Sequence, residues 1–237
     1  MLKTFLFDYG GTLDTAARHW SYVLWDGYRA AGVTLSEADF RRAYVHGERT
    51  LAREHHILPE DDFRTLLFKK VTIEIDFLLK EQLLTPADAA RAGQLVEEIT
   101  DYCDRYAARE TQRSLQVLER LAARYKLVMV SNFYGNLHAV LQRYGLLHLF
   151  ADVVESAVVG VRKPDAAIWR LGVEAAGCSP AECVAVGDSY GKDIVPAKEI
   201  GCETVWFKGE EWETKERDET LPGHVIDNLE ELCALYL

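Results

Sequence analysis

Phe5-Leu6-Phe7-Asp8-Tyr9-Gly10-Gly11-Thr12-Leu13-Asp14 opens the chain with an apolar run that stops on an aspartate and two glycines. Residues 2–7 read as a buried strand, and residues 8–12 read as a tight loop. The same pattern recurs downstream. Leu127-Val128-Met129-Val130 ends in Ser131-Asn132, and Cys183-Val184-Ala185-Val186 ends in Gly187-Asp188. Thr204-Val205-Trp206-Phe207 ends in a charged loop. None of these runs alternates with polar residues, as expected of parallel strands covered on both faces.

Helical periodicity fills the intervals. Leu115, Leu118, Leu121 and Ala122 share one face of residues 113–125, and Leu137, Val140, Leu141 and Tyr144 share one face of 136–144. Residues 165–176 follow Pro164, a common start signal, and 228–237 close the chain with Leu229, Leu232 and Leu235. Strands alternating with helices predict an α/β fold: a Rossmann-like parallel sheet with helices on both faces. Residues 15–109 break that alternation. They show helical stretches at 19–31, 36–55, 60–83 and 86–107, with Ser36 and Asp39 suited to one helix start and Pro86 to another. The expected organisation is therefore an α/β core made of residues 1–14 and 110–237. An all-helical cap, residues 15–109, is inserted over the carboxyl edge of the sheet. Residues 208–220 form the most polar stretch and are expected to be an exposed loop.

The 237 residues are 49% hydrophobic and 27% charged, which excludes a disordered chain, a collagen-like repeat and a small disulfide scaffold. A net charge of −11 disfavours nucleic acid and anionic lipid as partners, while leaving room for a local pocket that binds a small anion. No apolar run approaches the roughly 18 residues of a membrane span, and the first is too short for a signal-peptide core. The five cysteines (Cys103, Cys178, Cys183, Cys202 and Cys233) are odd in number and form no CxxC pair. They read as free thiols of a reducing, cytoplasmic compartment.

Chemistry collects where the strands stop. Carboxyl ends of parallel strands lie along one edge, where ligands bind. Asp8, Ser131 and Asp188 each sit at such an end, and Lys163 follows the short apolar segment Val158-Val159-Gly160-Val161. Two carboxylates suit Mg²⁺, a hard cation that prefers oxygen. A hydroxyl and an ammonium suit phosphoryl oxygens, and the small residues after Asp8 allow close backbone approach to an anion. Together they describe a site for phosphoryl transfer, with a carboxylate able to attack phosphorus.

With these residues in order, the sequence resembles the haloacid dehalogenase-like superfamily, with a helical cap inserted after the first motif. The motifs are 5–14, 127–132, Lys163 in Arg162-Lys163-Pro164-Asp165, and Gly187-Asp188-Ser189-Tyr190-Gly191-Lys192-Asp193. The resemblance covers essentially the whole chain. It implies a Mg²⁺-dependent phosphohydrolase acting on a small phosphorylated metabolite through an aspartyl-phosphate, as a monomer or homodimer. Asp8 would be nucleophile and metal ligand. Ser131 and Lys163 would bind the transferring phosphoryl group. The Gly10 carbonyl, Asp188 and Asp193 would complete the metal set. Gly11, Thr12 and Asn132 would contribute phosphate contacts and loop geometry.

One position departs from the family pattern. Its phosphatases usually carry a second aspartate two residues after the nucleophile, which protonates the leaving group; here that residue is Gly10. His19, His46 and Arg49 are candidates for a substitute donor, while His55-His56 is expected to be a solvated helix face and Trp20, Trp25 and Tyr28 to pack. Three alternatives stay open. One is a weakened phosphate- and metal-binding regulatory protein. Another is a phosphonate-cleaving enzyme using an imine on Lys69, Lys70 or Lys80. The third is a dehalogenase in which aspartate attacks carbon.

Overall fold

The computed structural model describes residues 1–212 and 215–237. Six parallel strands form one sheet in the order β3-β2-β1-β4-β5-β6. They are β1 (Thr4–Phe7), β2 (Lys126–Ser131), β3 (Asp152–Glu155), β4 (Cys183–Gly187), β5 (Glu203–Phe207) and β6 (His224–Ile226). This is the doubly wound order, in which the chain leaves the central strand in opposite directions and opens a crevice at the carboxyl ends of β1 and β4. Phe7 pairs with Met129 on one side and Val186 on the other, so the residues after these strands emerge side by side.

Strand residues of alternate parity feed two cores. Phe5, Phe7, Met129 and Val186 pack on one face with α5 (Ala92–Ala122), α6 (Leu137–Arg143) and α10 (Glu231–Tyr236). Leu6, Val128, Val130 and Ala185 pack on the other with Ile168 and Trp169 of α8 (Ala166–Ala176) and Ala197 of α9 (Val195–Glu199).

Between β1 and β2 the described structure is helical, as the sequence predicts: α1 (Trp20–Ala30), α2 (Glu37–Arg53), α3 (Phe63–Lys80), α4 (Pro86–Ala90) and α5. Side-chain caps set the starts of the first four. His19 accepts from Ser21 N, Ser36 from Asp39 N, Asp62 from Thr65 N and Thr85 from Asp88 N. Tyr28, Phe40, Leu67, Ile75, Leu78 and Ile99 close an apolar core among these helices.

The structure differs from the sequence reading in three places. The helices expected at 86–107 and 113–125 are largely one 31-residue helix, α5, so the expected boundary at 109/110 falls inside a continuous element. Glu110, Thr111 and Ser114 interrupt the apolar pattern there, but all three are buried, and Ser114 Oγ donates to the Leu13 carbonyl at 2.8 Å. Val158 and Val159 belong to a single turn, α7 (Ser156–Val159), ended by left-handed Gly160. The strand that precedes Lys163 is β3, which the periodicity missed along with β6; both are edge strands too short to show a pattern. Finally, residues 208–220 carry no helix or strand where described, but the stretch is not merely exposed. Glu210 bridges to Arg18, and Glu211 and Trp212 are half-buried; Glu213 and Thr214 lie outside the described residues.

Candidate active site

Asp8 leaves β1 with its amide donating to the Val186 carbonyl (3.0 Å), which pins it against β4. Its carboxylate is held from three directions. Lys163 Nζ donates to Oδ1 at 2.6 Å, Ser131 Oγ to the same oxygen at 3.0 Å, and Thr12 Oγ1 lies 3.1 Å from Oδ2. Lys163 Nζ also donates to Asp193 Oδ1 at 2.6 Å and sits 4.6 Å from the centre of the Trp169 ring. The four expected groups thus converge, from β1, β2, the segment after α7 and the loop after β4.

Asp8, Asp188 and Asp193 can each present an oxygen within 4.8 Å of the others. The loop geometry that allows this is specific. Residues 190–194 form a wide π turn, in which Asp193 folds back under Gly187 and accepts from Ser189 N at 2.9 Å. A Cβ at Gly187 would overlap the Asp193 carboxyl. Gly11 has φ +98°, and a Cβ there would stand 2.6 Å from Asp188 Oδ1. Both glycines are therefore required by close approach of the carboxylates.

Two buried carboxylates, Asp8 and Asp193, and the half-buried Asp188 face one ammonium. Burial first, then Asp8 and Asp193, push the Asp188 carboxyl well above its usual range. Burial and Asp8 raise Asp193 to about 6 against the pull of Lys163. Burial opposes the charge on Lys163, but Asp193 and Asp8 outweigh it and hold its pKa above the ordinary value. Such crowding of anionic oxygen is what a divalent cation relieves, so the donor set fits a hard metal ion.

The remaining expected residues separate into two roles. Gly10 and Gly11 line the cavity above Asp8. Thr12 is fully buried and links Asp8 to Asp188, lying 2.9 Å from Asp188 Oδ1 and accepting from Asp188 N at 3.1 Å. It positions the carboxylates. Asn132 lines the cavity, yet its amide makes two bonds to the Lys163 backbone, at 2.9 and 3.0 Å, which fastens the lysine to the end of β2. Asp14 accepts from Gly11 N (2.7 Å) and Trp20 Nε1 (3.0 Å), so it braces the first loop. Its burial raises its own pKa to about 7.

A cavity of about 360 Å³ opens from this floor. Its far wall comes from α2 and α3, the loop after β2 and Glu210, Glu211, Trp212 and Arg217, and includes Tyr44, Glu48, Lys70 and Tyr134. Of the substitute donors, only His19 lines it. His19 Nδ1 accepts from Ser21 N at 3.2 Å, which leaves the ring proton on Nε2. Burial, aided by Lys192 and Lys70, lowers its pKa to about 4. His46 is exposed and stacks on Phe77, Arg49 is exposed, and His55 and His56 are exposed as expected but follow the end of α2 at Arg53 rather than forming a helix face. Among the lysines, Lys70 lines the cavity, while Lys69 pairs with Asp61 outside it and Lys80 is exposed. Sequence reasoning reaches Lys70 only as an imine former and misses Glu48 and Tyr134. Their signal is tertiary, because three separate segments supply the contact.

The fold and site define a doubly wound α/β protein with an acidic centre at the sheet's switch point. The chain belongs to the haloacid dehalogenase-like hydrolases, whose family model matches residues 2–201. It is similar to haloacid dehalogenase-like hydrolase domain-containing protein 3 of Danio rerio, with 33% identity over 106 residues, 45% of this chain and 43% of that one. It is 37% identical over 90 residues to the glyceraldehyde 3-phosphate phosphatase of Methanocaldococcus jannaschii, 38% of this chain and 39% of the relative. The matches thus span about two fifths of each relative's length. A solved dehalogenase shares the fold over 99% of this chain and 96% of its own, with TM-score 0.65 and 20% identity. No described helix is long and apolar enough to cross a membrane, and all five cysteines are free thiols.

Proposed function

We propose that the protein is a Mg²⁺-dependent phosphohydrolase acting on a small phosphorylated metabolite through an aspartyl-phosphate, in a reducing, cytoplasmic compartment. The observation that carries this reading is the Asp8 carboxylate held by Lys163 and Ser131 beside Asp188 and Asp193. Asp8 Oδ would attack phosphorus, and the bond from phosphorus to the leaving oxygen would break. Lys163 and Ser131 hold the nucleophile and stand where phosphoryl oxygens gather, so positioning and charge neutralisation supply most of the acceleration. Asp8, Asp188, Asp193 and the Gly10 carbonyl would hold the Mg²⁺, which supplies further neutralisation of phosphoryl charge. Water then releases phosphate from Asp8.

Gly10 leaves the leaving-group proton without the family's usual carboxyl donor. The helical insert acts as a cap that closes the cavity over the substrate and excludes water. His19, with its Nε2 proton and its low pKa, is suited to donate a hydrogen bond and ill suited to act as a base. The imine route is disfavoured because the cavity lysine, Lys70, already engages Glu48. Dehalogenation needs no metal, which leaves the three-carboxylate cluster without a purpose.

The test is hydrolysis of acetyl phosphate and p-nitrophenyl phosphate with Mg²⁺, for wild type and Asp8→Asn. Wild type is expected to turn over, with Asp8→Asn and EDTA-treated protein inactive. Equal rates for wild type and Asp8→Asn would reject the mechanism and favour a binding protein. Full activity without divalent metal would reject the metal role.

A further inference from the structure

The wall opposite Asp8 mixes aromatic and aliphatic side chains with charged ones. Glu48 of α2 and Lys70 of α3 form an ion pair there. Lys70 is 4% exposed, and its ammonium also lies 4.6 Å from the centre of the Tyr44 ring. Tyr134, from the loop after β2, donates its hydroxyl to Glu48 Oε2 at 3.1 Å. About a third of the Glu48 side chain remains open, 36%, and Glu48 lines the cavity. Burial opposes the charge on Glu48, but Lys70 and Tyr134 keep its carboxyl below the usual range. The other acids of this wall are also matched: Glu210 by Arg18 at 2.7 Å, and Glu211 by Arg217 at 3.1 Å. Lys192, the remaining cation lining the cavity, is exposed and therefore screened by water.

We infer that Glu48, Lys70 and Tyr134 form a specificity site that selects phosphate esters whose leaving group is neutral and hydroxylated, and disfavours leaving groups bearing a carboxylate. The inference rests on the phosphohydrolase reading of Asp8 for its chemistry, though not for binding. An adjacent acceptor and donor match an alcohol group, which donates to the carboxylate and accepts from the ammonium or phenol. A carboxylate ligand would have to take Lys70 from Glu48, stranding a partly buried anion beside a second one. A purely apolar group would cover the open part of the Glu48 carboxylate without offering it a hydrogen bond. The cavity, about 360 Å³, lies at the lower end of the roughly 300–1,000 Å³ range of small-molecule sites. That size suits a phosphoryl group on a short polyol or hydroxyaldehyde chain.

A matched pair of three-carbon esters tests this: glycerol 3-phosphate and 3-phosphoglycerate, which differ in a hydroxymethyl against a carboxylate. Binding is measured by calorimetry on the Asp8→Asn protein with Mg²⁺, and turnover on wild type. Glycerol 3-phosphate is expected to bind at least about 10-fold tighter, and the wild-type difference should lie in KM rather than kcat. Adding Glu48→Gln, which frees Lys70, should shrink the preference at least about 10-fold. Tyr134→Phe, a milder change, should raise KM for glycerol 3-phosphate several-fold. Equal or tighter binding of 3-phosphoglycerate, binding of neither ester, or a ratio unmoved by Glu48→Gln overturns the inference. Turnover without preference removes the specificity site and leaves the hydrolase reading intact. Preference in calorimetry without turnover does the reverse.

Discussion

Gly10 and Gly11 are neighbours with opposite tolerances, and the difference is physical. A Cβ at Gly10 meets nothing within 4 Å, so a longer side chain has room over Asp8. Gly10→Asp is therefore expected to fold and to supply the missing leaving-group acid. General acid catalysis contributes on the order of 10²–10⁴-fold, so kcat/KM on alkyl monoesters should rise by about 10²-fold, with little change on acetyl phosphate. Steady-state kinetics on both substrates would show it, and an unchanged ratio would mean the proton comes from elsewhere. Gly11→Ala is the converse. A φ of +98° and a 2.6 Å approach to the Asp188 carboxylate make alanine strained there. A loss of about 1–3 kcal/mol in urea unfolding is expected, together with weaker divalent-metal binding.

At the scale of elements, the α2–α3 contact buries an incompletely partnered carboxyl away from the active centre. Glu74 of α3 is fully buried, receives one hydrogen bond from Tyr28 (3.1 Å), and its Oε1 has no hydrogen-bond partner among the described residues. Gly47 of α2 lets the helices close over it, since a Cβ there would lie 3.0 Å from Glu74 Cγ. Burial raises the Glu74 carboxyl to about 7; Lys70 and Tyr28 oppose the shift and Glu48 adds to it. A folded pKa above the unfolded one means that stability from this group is full below about pH 4.5. It declines as pH rises toward 7 and is lost above that. Glu74→Gln should abolish this decline. At pH 8 the variant should be more stable than wild type by about 1–3 kcal/mol, converging near pH 4, as urea midpoints across pH would record. A variant less stable than wild type at pH 8 would show that Glu74 is ionised and well paired in the fold.

At the scale of the molecule, the acidic centre joins segments that lie far apart in sequence, so a ligand there should stabilise the whole fold. A cation that binds only the native state adds about 2.7 kcal/mol at 100 times its Kd. For a chain of this size, each kcal/mol shifts Tm by about 2–4 °C. Saturating Mg²⁺ should therefore raise Tm by roughly 5–10 °C. Asp188→Asn should abolish most of that rise while keeping the fold. This scan is independent of turnover. A Tm indifferent to Mg²⁺, Mn²⁺ and Ca²⁺ would remove the metal from the site.

The sequence by itself determined the repeated plan of apolar strand, polar end and helix, and with it Asp8, Ser131 and Asp188; Lys163 and Asp193 stood out through the family's motifs instead. Covered parallel strands show as unbroken apolar runs, and their chemistry falls at the next residue, so local order carries that information. Sequence periodicity did not reveal β3 and β6, with four and three residues, or the passage of α5 through buried Glu110, Thr111 and Ser114. Tertiary structure alone decided that Thr12 and Asn132 position other groups, that His19 faces the cavity while His46 and Arg49 do not, and that Glu48, Lys70 and Tyr134 meet. A helix of mixed composition has several faces, and only packing against the sheet and the neighbouring helices chooses which of them looks onto Asp8.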